Sequence, residues 1–279
     1  MNTPTAEELL AAGDPAGALK ALQARVRAHA ADAKLRTFLF QLLAVLGQWK
    51  RALEQLKVCG ELDAGTLAMV NTYTAAVQCE RVREAVFAGQ TLPHVFGPPA
   101  AWVAQLAQAL QLDAQGQPAA AAALRDEAFE AAPASSGTLI AGREPGAPER
   151  RFAWMADADS RLGPVLEVII NGRYGWLPMV HCRDFSIEPV EDLRDLVWAP
   201  AHITFANDAD TVALMPTRYA GTPLDADGAL ALARRTEWVE LGAGGGGSQY
   251  RGIGQRSLTT DASEFGVLEL RQVSFDAAA

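Results

Sequence analysis

Lysine is scarce in this chain: Lys20, Lys34, Lys50 and Lys57 are its only four, all in the first half. A phosphate-binding P-loop needs Gly-Lys-Ser/Thr opening a helix. The glycine-rich run Gly242-Ala-Gly-Gly-Gly-Gly247-Ser248 therefore reads as a flexible loop tip, not a phosphate cradle. Cysteine is sparse too. Cys59, Cys79 and Cys182 are odd in number and scattered, which implies no disulfide framework and fits free thiols in a reducing compartment. The four histidines form no HExxH or triad-like pattern, and the adjacent His181-Cys182 would point to opposite faces of a strand. No apolar run approaches the ~18 residues of a membrane-spanning helix. The first residues, Met1-Asn-Thr-Pro-Thr-Ala-Glu-Glu, have neither a basic n-region nor an apolar h-region. A formal charge of −9 argues against a nucleic-acid footprint, which needs a basic face. The expectation is a cytoplasmic protein with no nucleic-acid or membrane partner.

Apolar residues make up 49% of the 279, enough for one large domain or two ordinary ones. In the first half they recur at helical spacing. Leu35, Phe38, Leu39, Leu42, Leu43 and Leu46 form one stripe, and Trp49, Leu53 and Leu56 begin the next. Gly13, Ala18, Leu19 and Leu22 return as Gly47, Ala52, Leu53 and Leu56, each 34 residues on. Gly116-Gln-Pro118-Ala119 echoes Gly13-Asp-Pro15-Ala16. Thirty-four residues is the tetratricopeptide period, in which helix pairs must stack on neighbours to bury their faces. Residues 1–132 thus read as a tetratricopeptide-like α-helical domain, with a plain helical bundle as the alternative. Gln90–Pro99 reads as a loop within it.

Residues 133–148 hold three prolines, three glycines and two serines, a linker composition. Residues 149–279 then read as a small β-rich domain, either a barrel or a twisted antiparallel sheet. Its strongest local signal is Asn171-Gly172 between Val165–Ile170 and Tyr174–Leu177, a hairpin with a tight primed turn. Short strands follow near residues 185–187, 201–205, 211–215, 237–241, 250–258 and 267–275, with a short helix near 227–235. The acid excess lies on this side, with 13 basic and 20 acidic residues after position 140 against 11 and 13 before it.

Five motifs lie in order along the second half: Asp157-Ala-Asp159-Ser-Arg161-Leu-Gly163-Pro164-Val-Leu-Glu167, Asn171-Gly-Arg-Tyr174-Gly-Trp176-Leu-Pro178, Arg194-Asp195-Leu-Val-Trp198, Pro216-Thr-Arg218-Tyr219 and Gly252-Ile-Gly254-Gln255-Arg256. Together they resemble the ImpE/TagJ family of bacterial type VI secretion accessory proteins. The resemblance implies a non-catalytic adaptor of a contractile, virulence-associated secretion apparatus. It further implies a cytoplasmic partner in the sheath, the N-terminal helix of the small sheath subunit, and a link to the ATPase that recycles contracted sheath.

Read as chemistry alone, the same residues offer less. Asp157 and Asp159 fall on one side of an extended chain and could hold a divalent cation. Such sites recruit further oxygen ligands, however, and Arg161 is at hand as a counter-charge. Arg194-Asp195 lacks an accompanying nucleophile. The alternative function is a metal-dependent enzyme with an acidic site at Asp157, Asp159, Arg194 and Asp195. The adaptor is favoured, because no nucleophile, metal or cofactor motif accompanies these residues. Tyr174, Trp176, Trp198, Trp238 and Tyr219 read chiefly as core, with anchors for a partner as the second reading. Asp157, Asp159, Arg161, Tyr174, Trp176, Arg194, Asp195, Trp198, Arg218, Tyr219 and Arg256 are the candidate protein-binding or domain-signature residues. No cofactor is expected.

Overall fold

The computed structural model of the chain describes residues 4–142, 146–242 and 249–277. Most of the glycine run at 242–248 lies outside them.

Seven helices come first: α1 (Ala6–Ala11), α2 (Pro15–Ala28), α3 (Ala33–Val45), α4 (Trp49–Leu62), α5 (Leu67–Phe87), α6 (Ala101–Ala114) and α7 (Pro118–Ala131). Local chemistry places their starts. The Thr5 hydroxyl accepts the Glu8 N–H at 3.1 Å while Glu8 accepts the Thr5 N–H at 2.8 Å, a capping box opening α1. Asp14 caps α2, with Pro15 at its first position, and Asp32 caps α3. The stripe on α3 is buried at Leu39, Leu42 and Leu43 and half-buried at Leu35, Phe38 and Leu46. The α1 and α3 ends share one hydrogen-bond pattern. Gly13 and Asp14 donate to the Leu10 and Leu9 carbonyls, and Gly47 and Gln48 donate to those of Ala44 and Leu43. No helix among the described residues is long and apolar enough to cross a membrane.

The strands are β1 (His94–Val95), β2 (Gly137–Ala141), β3 (Glu149–Phe152), β4 (Met155–Asp157), β5 (Val165–Ile170), β6 (Arg173–Pro178), β7 (Cys182–Ile187), β8 (Trp198–Phe205) and β9 (Asp210–Pro216). After the short helix α8 (Gly228–Ala231) come β10 (Thr236–Glu240), β11 (Tyr250–Gly254), β12 (Ser257–Thr260), β13 (Glu264–Gly266) and β14 (Leu270–Phe275). Nine of them form one sheet in the order β1-β6-β5-β9-β8-β7-β14-β2-β3. The order has two ends, so the barrel alternative is overturned in favour of an open sheet. Its pairings are antiparallel except β1 on β6. β13-β12-β4 form a second sheet, and β10-β11 a two-stranded one. The β5–β6 hairpin turns at Asn171 and Gly172, with φ of 51° and 71°, and pairs Ile170 with Arg173.

Two segments differ from the expectation. His94–Val95, within the expected loop, adds a parallel strand to the edge of β6. Gly137–Ala141, within the expected linker, is β2 and pairs with both β14 and β3. Composition missed both, because β1 draws its hydrogen bonds from β6 and β2 draws one side of its own from β14, partners remote in sequence.

One apolar cluster is built from both halves. It joins Leu22, Leu42, Val77, Val86 and Leu106 of the helices to Val165, Ile169, Trp176 and Trp198 of the sheet. A second cluster lies on the opposite face of the same sheet. There Leu166, Val168, Leu177, Ile203 and Val273 pack with Met155, Leu258 and Phe265 of the three-stranded sheet.

Candidate functional site

Residues of all five motifs, the third through Trp198 alone, meet at the junction of helices and sheet around a buried network of charges. Asp159 takes Arg161 as a fork, with Nη2 on Oδ2 at 2.6 Å and Nε on Oδ1 at 2.9 Å, and also accepts the Gly252 N–H at 2.9 Å. The Asp159 N–H donates to Asp157 Oδ1 at 2.9 Å, and Asp157 Oδ2 accepts Arg256 Nη2 at 2.7 Å. Arg256 Nη1 lies 3.6 Å from Glu167. Glu167 is in turn held by Arg83 of α5 at 2.7 and 2.8 Å and by the Tyr174 hydroxyl at 2.6 Å. Trp176 donates its indole N–H to Tyr174 at 3.1 Å. Arg83 continues to Glu80, one turn earlier, which accepts the Trp198 indole N–H at 2.7 Å. The chain of contacts runs from the β4–β5 turn through the sheet into α5.

Arg218 joins through backbone. Its carbonyl accepts Arg83 Nη2 at 2.7 Å, and its guanidinium donates to the Val45, Ala231 and Ala44 carbonyls at 2.5, 2.6 and 3.4 Å. A buried cation there meets the negative ends of α3 and α8. Arg234 repeats the contact on α1, donating to the Leu10 and Ala11 carbonyls at 2.9 and 3.1 Å. Those two carbonyls stand 34 residues before the Ala44 and Val45 pair. The Tyr219 hydroxyl exchanges hydrogen bonds with the Ser257 backbone at 2.9 and 3.2 Å. Gly252 lies flat on the Tyr219 ring, where an added Cβ would come within 2.1 Å of it. The Gly-x-Gly motif is therefore a close-packing requirement.

Burial governs the electrostatics. Asp157, Asp159, Glu167, Trp176, Trp198 and Arg256 are each no more than 3% exposed. Burial pushes the Asp157 carboxyl up to about 6, against the pull of Arg256. Burial also penalises a charged Glu167, but Arg83 and Arg256 outweigh it and hold that carboxyl down at about 2. Burial lowers Arg218 to about 10.

The expected residues divide clearly. Asp157, Asp159, Arg161, Tyr174, Trp176, Trp198, Arg218, Tyr219 and Arg256 are all buried around this network and present little surface to a partner. Arg194 and Asp195 sit apart. Asp195 accepts the Glu191 and Asp192 N–H groups at 3.0 and 2.8 Å, while Arg194 pairs with Asp192 and lies 4.9 Å over the Tyr73 ring. No hydrogen bond or ion pair among the described residues joins them to Asp157 or Asp159. The four-residue acidic site is therefore not assembled, because Arg161 and Arg256 already occupy the two carboxylates. Glu80, Arg83 and Glu167 are the members that sequence reading missed. Two charged residues at i and i+3 on the buried face of α5 were the available signal, and Glu167 stood unremarked within the first motif.

The family described as ImpE protein matches residues 149–274. Over 271 residues the chain is 54% identical to the type VI secretion system accessory component TagJ of Pseudomonas aeruginosa, a likeness covering 97% of this chain and 91% of that one. The chain belongs to the ImpE family. The family match spans the sheet half, where all five motifs lie, whereas the likeness to TagJ takes in the helices as well. The same fold is found in the crystal structure of a Vibrio parahaemolyticus protein, with a TM-score of 0.85 over 98% of both chains. At 20% identity that likeness speaks for the fold.

Proposed function

We propose that this chain is a non-catalytic accessory protein of a bacterial type VI secretion system, acting in the cytoplasm as an adaptor of the contractile sheath. The observation that carries the reading is the 54% identity to TagJ across nearly the whole chain, helices and sheet alike. Its partner in this reading is the N-terminal helix of the small sheath subunit, with the sheath-recycling ATPase as a second contact. The helical half is read as a tetratricopeptide-like scaffold, supported by the matching α1 and α3 ends and by Arg234 and Arg218, which dock on carbonyls of those ends 34 residues apart. Stacked helix pairs present an extended surface on which an amphipathic helix can lay anchors at i, i+3, i+4 and i+7. The buried signature residues hold the scaffold together, so the contact surface lies on exposed helix positions. Titration of the full-length protein with a synthetic peptide of the sheath helix tests this. Saturable binding at micromolar concentration, without nucleotide or metal, is the expected outcome. An absence of binding by that peptide and by the intact small sheath subunit sinks the sheath-adaptor reading.

A further inference from the structure

The helices cover only part of the large sheet. Residues opposite one another in register share a face, so the helix-facing side of β5 at Ile169 continues through Leu214 of β9 and Pro200 of β8. It runs on through the Val212–His202 and Asp210–Thr204 pairs to Ser186 and Asp184 of β7. Trp198, at the start of β8, is packed against Trp49 and Tyr73, but Val212 is 65% exposed. Between α5 and this open part lies a groove of about 460 Å³. Ile169, Pro200, Val212 and Leu214 make its apolar walls, and its polar side chains are two amides, a hydroxyl and His202. Among the described residues no carboxylate, lysine or arginine lines it.

The flank beyond the groove is acidic. From Cys182 to Glu188 and along the β8–β9 hairpin stand Asp184, Glu188, Asp208 and Asp210. Arg183 is the one guanidinium among them, and it pairs with Asp184 and Asp208. Asp210 accepts the Thr204 hydroxyl at 2.8 Å, and Glu188 lies 3.9 Å from His202. Arg194, at the Trp198 end, is taken up by Asp192 and the Tyr73 ring. Arg173 pairs with Ile170 and so lies on the other face.

An uncharged apolar groove beside an acidic flank narrows what can fill it. β8 and β9 are interior strands, so an occupant meets side chains and not a free strand edge. An amphipathic helix carries an apolar stripe beside a charged one, and next to α5 it would extend the helical layer over the sheet. Nucleic acid, an anionic lipid surface or a second copy docking by this same face would set negative charge against Glu188 and Asp210. Lysine or arginine beside the apolar stripe meets those carboxylates favourably. We propose that the groove between α5 and the β8–β9 hairpin receives an amphipathic helix with a basic flank, presented by a polypeptide partner and independent of the sheath contact.

The probes are two helical peptides with the same leucine stripe, one carrying lysine on its polar face and the other glutamate. Added to the full-length protein, the lysine peptide should bind saturably and shift the backbone amide resonances of Ala75, His202 and Val212. The glutamate peptide should bind at least about tenfold more weakly. Glu188→Gln combined with Asp210→Asn should weaken the lysine peptide several-fold and flatten its salt dependence. Val212→Asp separates the groove from general attraction, because it adds negative charge while spoiling an apolar wall. It should still weaken the lysine peptide several-fold, and the exposure of Val212 lets a melting curve like that of wild type confirm the fold. Should that variant melt early, the resonance shifts in wild type decide. Equal binding of the two peptides, unchanged or tighter binding by Val212→Asp, or shifts confined to other surfaces overturn the inference. So does a dimer formed without peptide and dissolved by Val212→Asp, which would assign the groove to a second copy.

Discussion

Along β5, Val165, Glu167 and Ile169 face the helices while Leu166, Val168 and Ile170 face the three-stranded sheet. The second face is an apolar core throughout. The first mixes apolar packing with a buried network of Glu80, Asp157, Asp159 and Glu167 against Arg83, Arg161, Arg218 and Arg256. An apolar face asks only for matching shape and volume, and it tolerates adjustment. A buried ionic face adds little net stabilisation but penalises every arrangement that leaves a charge unpaired. The apolar face thus stabilises the sheet half, and the ionic face penalises any docking of helices on sheet that leaves a charge unpaired.

The widest separation between the faces comes from cutting the chain. A fragment of residues 1–132 loses the sheet side of the shared cluster and the caps that Arg218 and Arg234 provide. It should keep helical content but lose cooperative melting. A sharp thermal transition near that of the whole chain would show that the helices need no sheet.

Within the intact chain, Arg83→Ala leaves Glu167 buried with its main counter-charge gone. The expected loss is about 3–5 kcal/mol, read as a shift in denaturant midpoint. Replacing Arg83 and Glu167 together by methionine should recover much of that stability while broadening the amide spectrum at the junction, if the charges specify docking. On the apolar face, Leu166→Ala should cost about 2–5 kcal/mol through the cavity it leaves. No recovery in the double variant would mean that the ion pair itself stabilises the fold, and recovery without broadening would mean that it specifies nothing.

Acid distinguishes the faces more gently. The Glu167 carboxyl is depressed from 4.5 to about 2, so its contribution is complete above pH 4.5 and drains as pH falls toward 2. The Asp157 carboxyl is raised from 3.8 to about 6, so wild type should gain on Asp157→Asn as pH falls from 6 to 3.8. The Leu166→Ala penalty should stay level across both windows. Urea midpoints at several pH values check the three slopes, and parallel curves for wild type and Asp157→Asn would contradict a buried, titrating Asp157. The smallest effect belongs to Arg194→Lys. Its side chain is 22% exposed and pairs with a more exposed Asp192, so about 1 kcal/mol or less is expected from lost pairing and stacking on Tyr73. A larger drop would place Arg194 among the buried group.

Much of this was legible one residue at a time. Apolar spacing on α3, the Asp14-Pro15 and Asp32 starts, and the Asn171-Gly172 turn act over a few neighbours, and such short-range physics is written in order along the chain. The five motifs were legible as a set, although their aromatics read chiefly as core with a partner interface as the second reading, and their arginines stood as candidates for either. Only tertiary structure decided between those, by drawing Arg83 of α5 onto Glu167 of β5 and burying both. It likewise made strands of His94–Val95 and Gly137–Ala141, opened the sheet instead of closing it, and set Arg218 on the end of α3. Each of those outcomes depends on backbone groups and charges from segments far apart in sequence, whose meeting no local pattern encodes.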